Sequence, residues 1–520
     1  MTKSKITQTF TQSMSELHTW AGLVFGWLLF AIFLTGTLSV FEPELTHWMQ
    51  PSLRSNQVQP IQALSSAELK LRQLAPQADT WTIALPQNRK PDLEIGWKKG
   101  KATLERHLDP QTGAVLKVRD TEGGHFFAHF HFELHSGKAG LWLVSLASVV
   151  MLAALVSGIA IRTQVIKDFF LLRWRRTWLN VHTMTGVFTL PFVLLITYTG
   201  LTITFFMLLP VVPQVLYGSS WNGPYAVAAK NFDRPRANLP GELVPLTQLL
   251  PLAEKELGEG SISFIRVNNP GDRQSVVTFF RKIDDSIVAI SSRATFDGVT
   301  GELLGSQTTW NKYVQIYRSL VGLHIARFGG YPLSWLYFGA GLVSCVMIAT
   351  GLVFFTVKRR NRYSRSTELT QYMYRAIEAL NITAVAGITI ACAAYLWANR
   401  LLPLGFNDRA SAEITFFFIA WLLTLFHAFY RSPLQAWSEQ LRIAAGLCIG
   451  LPVINALTTD VGLPAAIARN DWMTAGVDLT SALLGILLAI TAWRVTAKQS
   501  NQQHPFKKTL GWINPEQSSR

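Results

Sequence analysis

Eight apolar stretches constrain this chain more than any other feature. A run of about 18 apolar residues is long enough, as a helix, to cross the hydrocarbon core of a bilayer. The first four run from Trp20 to Phe41, Gly140 to Ile161, Thr183 to Leu209 and Pro332 to Val357. Four weaker ones follow, from Ile377 to Trp397, Ile414 to Tyr430, Ile443 to Leu457 and Ala475 to Val495. Charged residues make up only 15% of the chain and hydrophobic ones 49%, where soluble domains carry about 25% charge. A disordered chain and an ordinary cytosolic enzyme are both poor fits. The expected fold is mainly α: a polytopic membrane protein with about eight spans and two polar insertions.

The formal charge is +15, and its placement orients the chain. Arg162, Lys167, Arg173, Arg175 and Arg176 connect the second and third spans, and Lys358, Arg359, Arg360, Arg362 and Arg365 follow the fourth. Short basic loops stay in the cytoplasm. Both termini are then cytoplasmic, the C-terminal one with Lys507 and Lys508, and the insertions lie outside, in the periplasm of a bacterial cell. Lys3 and Lys5 precede the first span, which reads as a retained anchor because it is long for a signal peptide and lacks a clear cleavage site. The basic excess thus serves topology, and no nucleic-acid partner is expected.

The expected divisions are 1–41, the N-terminus and first span; 42–138, a first outer module; 139–210, spans two and three; 211–331, a second module; 332–365, the fourth span and its basic loop; and 366–520, a four-helix extension. The modules share an order of signals. Each has a helical segment (Ser66 to Leu74; Leu246 to Leu257) and alternating strands, Asp92 to Trp97 with Ala102 to His107, and Ser275 to Arg281 with Ile287 to Thr295. Each ends in a turn, Asp109-Pro-Gln-Thr-Gly113 or Asp297-Gly-Val-Thr-Gly301, in which Asp accepts from backbone N–H groups and Gly supplies a positive φ.

The spans repeat too. His18-Thr19, Gly22 and Thr35-Gly36 match His182-Thr183, Gly186 and Thr199-Gly200 at identical offsets. His131, Gly137, Trp142-Leu143 and Gly158 match His324, Gly330, Trp335-Leu336 and Gly351. A helix–module–helix unit therefore occurs twice in one orientation, which predicts a pseudo-twofold axis along the membrane normal. Such an axis brings His18 opposite His182 at the cytoplasmic side and His131 opposite His324 at the outer side.

Two facing neutral imidazoles in a helix bundle suit the iron of a b-type haem, which needs no cysteine. Two such haems are the expected cofactors. Gly22 and Gly186, one turn after their histidines, leave room for a flat ring, and Lys138, Arg318, Arg327, Arg173 or Arg176 are candidate partners for its propionates. His135 shares a helical face with His131 and is the alternative outer ligand, although the repeat favours His131. His125 and His129 are candidates for an outer iron or substrate site, or for solvated and packing roles. His427 has no repeat partner and reads as a satisfied buried residue, while His47, His107 and His504 carry no signal. Cys345, Cys392 and Cys448 all sit in apolar runs, with no Cys-x-x-Cys pair, which argues against iron–sulfur clusters, c-type haem and disulfides. There is no His-Glu-x-x-His, Gly-x-Ser-x-Gly, Walker or dinucleotide-binding motif.

The segments His18-Thr-Trp-Ala-Gly-Leu, Phe130-His-Phe-Glu-Leu-His135, His182-Thr-Met-Thr-Gly, Leu323-His-Ile-Ala-Arg-Phe-Gly-Gly330, Tyr337-Phe-Gly-Ala-Gly-Leu and Met347-Ile-Ala-Thr-Gly-Leu-Val resemble the PepSY-associated transmembrane helix family. These are bacterial inner-membrane proteins, often iron-regulated, some of them ferric-siderophore reductases with two b haems. The resemblance covers about residues 10 to 365. It implies four core helices, two PepSY-like modules, and haem ligands at His18, His182, His131 and His324. The implied activity is transmembrane reduction of a ferric-siderophore or similar complex. Its electron donor is a quinol or cytoplasmic partner, and its outer partner is the siderophore complex or a siderophore-binding protein. The rival expectations are a solute or metal transporter and a non-catalytic PepSY-type sensor. The extension after residue 365 lies outside the resemblance.

Overall fold

The computed structural model describes residues 9–53, 58–162, 177–209 and 232–503. Lys3, Lys5, Lys167, Arg173, Arg175, Arg176, His504, Lys507 and Lys508 lie outside the described residues. Among those described, eight helices are long and apolar enough to cross a membrane. In an α-helix every interior N–H finds its partner within the segment, as a bilayer requires. The first four spans are α1 (Phe10–Ser39), α5 (Gly137–Ile161), α6 (Trp178–Leu208) and α9 (Gly330–Tyr363). Between α1 and α5 lie α2 (Glu42–Met49), α3 (Pro60–Leu74), strands β1 (Thr80–Ala84), β2 (Leu93–Lys99) and β3 (Ala102–Leu108), and α4 (His125–Glu133). Between α6 and α9 lie α7 (Leu246–Leu257), β4 (Ile262–Asn268), β5 (Val276–Arg281), β6 (Arg293–Asp297), β7 (Leu303–Gln307) and α8 (Lys312–Ile325). The chain forms two compact units whose boundaries fall inside the first four spans: Met1–Phe33, Ser157–Val187 and Cys345–Arg520 in one, Leu34–Val156 and Phe188–Ser344 in the other.

In the second unit the two insertions build one sheet. Its order is β3-β2-β1-β4-β5-β6-β7, every pairing antiparallel. The halves join where β1 meets β4, with Thr82 opposite Arg266. Strand alternation sends Trp81, Ile83, Ile95, Ile265, Val267 and Phe279 into the core, where Leu64 and Leu71 of α3 and Leu249 and Leu257 of α7 cover them. Each such leucine contributes about 1.5–3 kcal/mol by leaving water. Glu68 of α3 links the halves again: it accepts from the Leu246 N–H at 2.8 Å and from Arg72 at 2.7 Å.

The duplicated turns have matching geometry. Asp109 Oδ1 accepts from the N–H groups of Gln111 and Thr112, and Asp297 Oδ1 from those of Val299 and Thr300. Gly113 and Gly301 hold φ of +68° and +76°. One strand expectation needs correction. Residues 287–292 are not in a strand; β6 begins at Arg293, and the Ile287 carbonyl instead packs against Gly322 of α8. Strands β1, β4 and β7 had not been read from the sequence.

The extension lies in the first unit. It comprises α10 (Glu368–Ile382), a π-helical turn Thr383–Gly387, α11 (Ile388–Leu401), α12 (Arg409–Tyr430), α13 (Pro433–Thr458), α14 (Leu463–Ala468) and α15 (Trp472–Gln503). The π turn leaves the Thr383 carbonyl to the Trp421 indole N–H at 3.0 Å. Small residues bring helices close: a Cβ on Gly485 of α15 would lie 2.9 Å from the Ala445 carbonyl of α13. Arg409 and Glu413, both fully buried, bond each other and Asn399, so these charges are paired where isolated ones would be costly. Asn381 of α10 accepts from Trp27 of α1 at 2.7 Å and donates to the Leu352 carbonyl of α9 at 3.1 Å.

Candidate functional site

The first unit brings His18 of α1 and His182 of α6 together, ring centres 6.0 Å apart with planes at 65°. Each imidazole packs against a glycine of another span. A Cβ on Gly158 would lie 3.2 Å from His18, and one on Gly351 would lie 3.0 Å from His182. His182 Nδ1 lies 2.8 Å from the Met347 carbonyl. A carbonyl only accepts, so Nδ1 carries the proton and Nε2 keeps its lone pair. His18 Nδ1 lies 3.4 Å from Ser157 Oγ.

The second unit repeats this arrangement with His131 of α4 and His324 of α8. Their ring centres are also 6.0 Å apart, with planes at 30°. A Cβ on Gly36 of α1 would lie 2.5 Å from His131 Nδ1, and one on Gly200 of α6 would lie 2.9 Å from His324. Thr199 Oγ1 is 3.0 Å from His324 Nδ1 and 2.7 Å from the Leu195 carbonyl. Its single proton goes to that carbonyl, so it accepts from His324 Nδ1–H and again leaves Nε2 bare. Burial, with His131 adjacent, pushes the His324 pKa down to about 3, which keeps the ring neutral.

Local backbone geometry aims these side chains. Both α4 and α8 end on a left-handed residue, Leu134 at φ +52° and Ala326 at φ +57°. The spans that follow them open at Gly137 and Gly330, both at φ +57°, where a side chain would be strained. Tyr337 of α9 donates to the Leu323 carbonyl at 2.7 Å, just before His324.

The donor set fits haem iron. A bound imidazole nitrogen lies about 2 Å from its metal and about 1 Å from its own ring centre, so two imidazoles across one iron sit about 6 Å apart. Both pairs match that spacing, and the hydrogen bonds at Nδ1 of His182 and His324 are outer contacts of the kind that orient a ligating imidazole. A Cβ on Gly22 would meet no atom within 4 Å, and one on Gly186 would meet only Met347.

Sequence reasoning missed the roles of Gly36, Gly200, Gly158 and Gly351 as imidazole seats, and those of Ser157, Thr199 and the Met347 carbonyl. The repeat offsets of the glycines were the available signal. Of the expected propionate partners, Arg327 bonds Glu42 at 3.1 Å, Arg318 bonds the Ala289 carbonyl, and Lys138 is exposed. His135 does not face His324; its ring neighbours are Phe126 and His129. His427 has both nitrogens engaged, Nε2 with Glu439 at 2.8 Å and Nδ1 with the Gln440 amide at 3.2 Å. Asp92, Glu94 and His107 also converge with metal-ligand spacing, but the Lys90 ammonium already bonds Glu94 at 2.8 Å.

Comparison with curated proteins gives no match. A family model described as the PepSY-associated TM region matches residues 15–358. That span contains both repeats and all four paired histidines, and it ends before the C-terminal extension. The chain is a member of the PepSY-associated transmembrane family.

Proposed function

We propose that the protein is an inner-membrane electron relay with two b-type haems. It passes electrons from the cytoplasmic side to the periplasm to reduce a ferric-siderophore or similar iron complex during iron uptake. The observation that carries this reading is the pair of imidazole couples, each at 6.0 Å and each drawing one histidine from either repeat. Haem, when bound, supplies reversible one-electron chemistry. The chain's residues do the holding. His18 with His182, and His131 with His324, would each hold one haem iron through their ring nitrogens. Met347 and Thr199 fix the tautomers of His182 and His324. The seat glycines let each imidazole approach a neighbouring span, and Gly22 and Gly186 give a flat ring room beside its ligand. Arg327, three residues after His324 and bonded to Glu42 at 3.1 Å, would be a propionate partner. The donor is a quinol or a cytoplasmic protein, since the chain has no nicotinamide motif.

The test is the absorbance spectrum of purified, dithionite-reduced protein with haem quantified per chain. Two b haems are expected. His18→Ala and His131→Ala should each retain about one, and His135→Ala should retain both. Protein with neither a b-type band nor bound iron would overturn the reading.

A further inference from the structure

The four glycines on which the paired imidazoles sit share a second feature. Each follows a residue that carries a hydroxyl: Thr35-Gly36, Ser157-Gly158, Thr199-Gly200 and Thr350-Gly351. These hydroxyl residues are buried, Thr35, Ser157 and Thr199 at 0% exposure and Thr350 at 6%. Their oxygens gather on the Nδ1 side of the histidines. Ser157 Oγ lies 3.4 Å from His18 Nδ1, and Thr199 Oγ1 lies 3.0 Å from His324 Nδ1. Thr350 Oγ1 lies 3.0 Å from the Met347 carbonyl, which is the acceptor of His182 Nδ1. The glycine makes room for the ring, and the residue before it meets the ring's far nitrogen, directly or through a carbonyl.

Thr199 makes the shorter of the two direct contacts. Its hydroxyl donates to the Leu195 carbonyl at 2.7 Å, which polarises the oxygen and makes it a better acceptor for His324 Nδ1–H. An acceptor on that proton draws the ring toward imidazolate and makes Nε2 a stronger donor. A stronger donor favours ferric over ferrous iron and so lowers the reduction potential of a haem. His182 receives the same kind of bond from a backbone carbonyl at 2.8 Å, which no side-chain replacement removes. At the outer pair the acceptor is a side chain. A chelator that grips ferric iron more tightly than ferrous makes that iron harder to reduce, so a lowered outer potential suits such a substrate.

We propose that Thr199 is a positioning residue that lowers the reduction potential of the outer haem through the hydrogen bond it accepts from His324. This role rests on the proposed function. The step it serves moves one electron: the haem iron goes from ferrous to ferric as the iron of the complex goes from ferric to ferrous, and the Nδ1 proton stays on His324.

The experiment is a redox titration of the full-length protein in detergent, read from the b-type absorbance band. It is run in a His18→Ala background, which should keep the outer haem, and in a His131→Ala background, which should keep the inner one. Thr199→Val preserves the shape and removes the acceptor. It should raise the outer midpoint by about 10-fold in the ferrous-to-ferric ratio, ~59 mV for one electron, and leave the inner midpoint in place. Thr199→Ser, which restores the acceptor, should return the wild-type outer midpoint. Thr197→Val makes the same change at another buried threonine of α6 and should move neither. An outer midpoint unmoved by Thr199→Val, or moved equally by Thr197→Val, would overturn the role. If Thr199→Val loses the outer haem, Thr199→Ser decides: haem retained at the wild-type midpoint upholds the bond, and haem lost or shifted there overturns it. Protein that holds no haem in any form would refute the relay and this role with it, whereas bound haem with an unmoved midpoint would refute Thr199 alone.

Discussion

Each paired imidazole rests on a glycine where an added Cβ would crowd the ring. Gly36 is the tightest, since a Cβ there would lie 2.5 Å from His131 Nδ1. The ring must shift to accept it, and close-packed interiors resist even one added carbon. Gly36→Ala should therefore lower haem content by about half while the spectrum of the remaining haem keeps its wild-type form. A full complement of two haems in that variant would disprove the steric seat. The histidines themselves were legible in the sequence because they recur at fixed offsets. Gly36, Gly158, Gly200 and Gly351 were visible as repeat matches, but their partners were not. Which helix face meets which is set by three-dimensional packing, and a glycine carries no sign of its neighbour. Thr199 was equally opaque, since a threonine inside an apolar helix most often bonds only its own backbone.

At the scale of elements, spans were legible and strand pairings were not. Twenty apolar residues can hardly be anything but a span, so all eight were placed, with limits short by several residues at most ends. Strands β1 and β4 each pair with the strand that follows, but their pairing with each other joins segments far apart in sequence, so no local signal announced that junction. Ile287 to Ser292 alternates like a strand yet makes none, because its carbonyls serve α8: Ala289 accepts from Arg318. The extension was legible only as helices. One of its attachments is Asn381, which is 2% exposed and bonds both α1 and α9; Tyr374, which donates to the Thr356 carbonyl at 2.6 Å, is another. Replacing the buried amide by an apolar side chain leaves the Trp27 indole N–H unmatched, at about 1–3 kcal/mol. Asn381→Leu should lower the thermal midpoint of the detergent-solubilised protein by several degrees. Because Leu352 follows the seat of His182, the variant should also perturb the His18–His182 haem more than the other. An unchanged midpoint would remove Asn381 from those attachments.

For the molecule as a whole, the junction of β1 and β4 has a further consequence. The buried residues Trp81 and Ile83 match Ile265 and Val267 of the second repeat, and Trp81 pairs with Val267 while Ile83 pairs with Ile265. Equivalent strands thus meet antiparallel about the Thr82–Arg266 position, as identical strands do across a true dyad. Both imidazole couples obey the same rule, since each takes one member from either copy. A gene encoding only the first copy should therefore already specify the machinery: residues 1–162, expressed alone, should dimerise through β1 and bind haem between two His18 and between two His131 side chains. Light scattering with absorbance detection would reveal this, and a haem-free monomer would contradict it. The single chain then reads as a fused homodimer, in which duplication made permanent a partnership that the half-length protein had to find by collision, and freed each half to diverge.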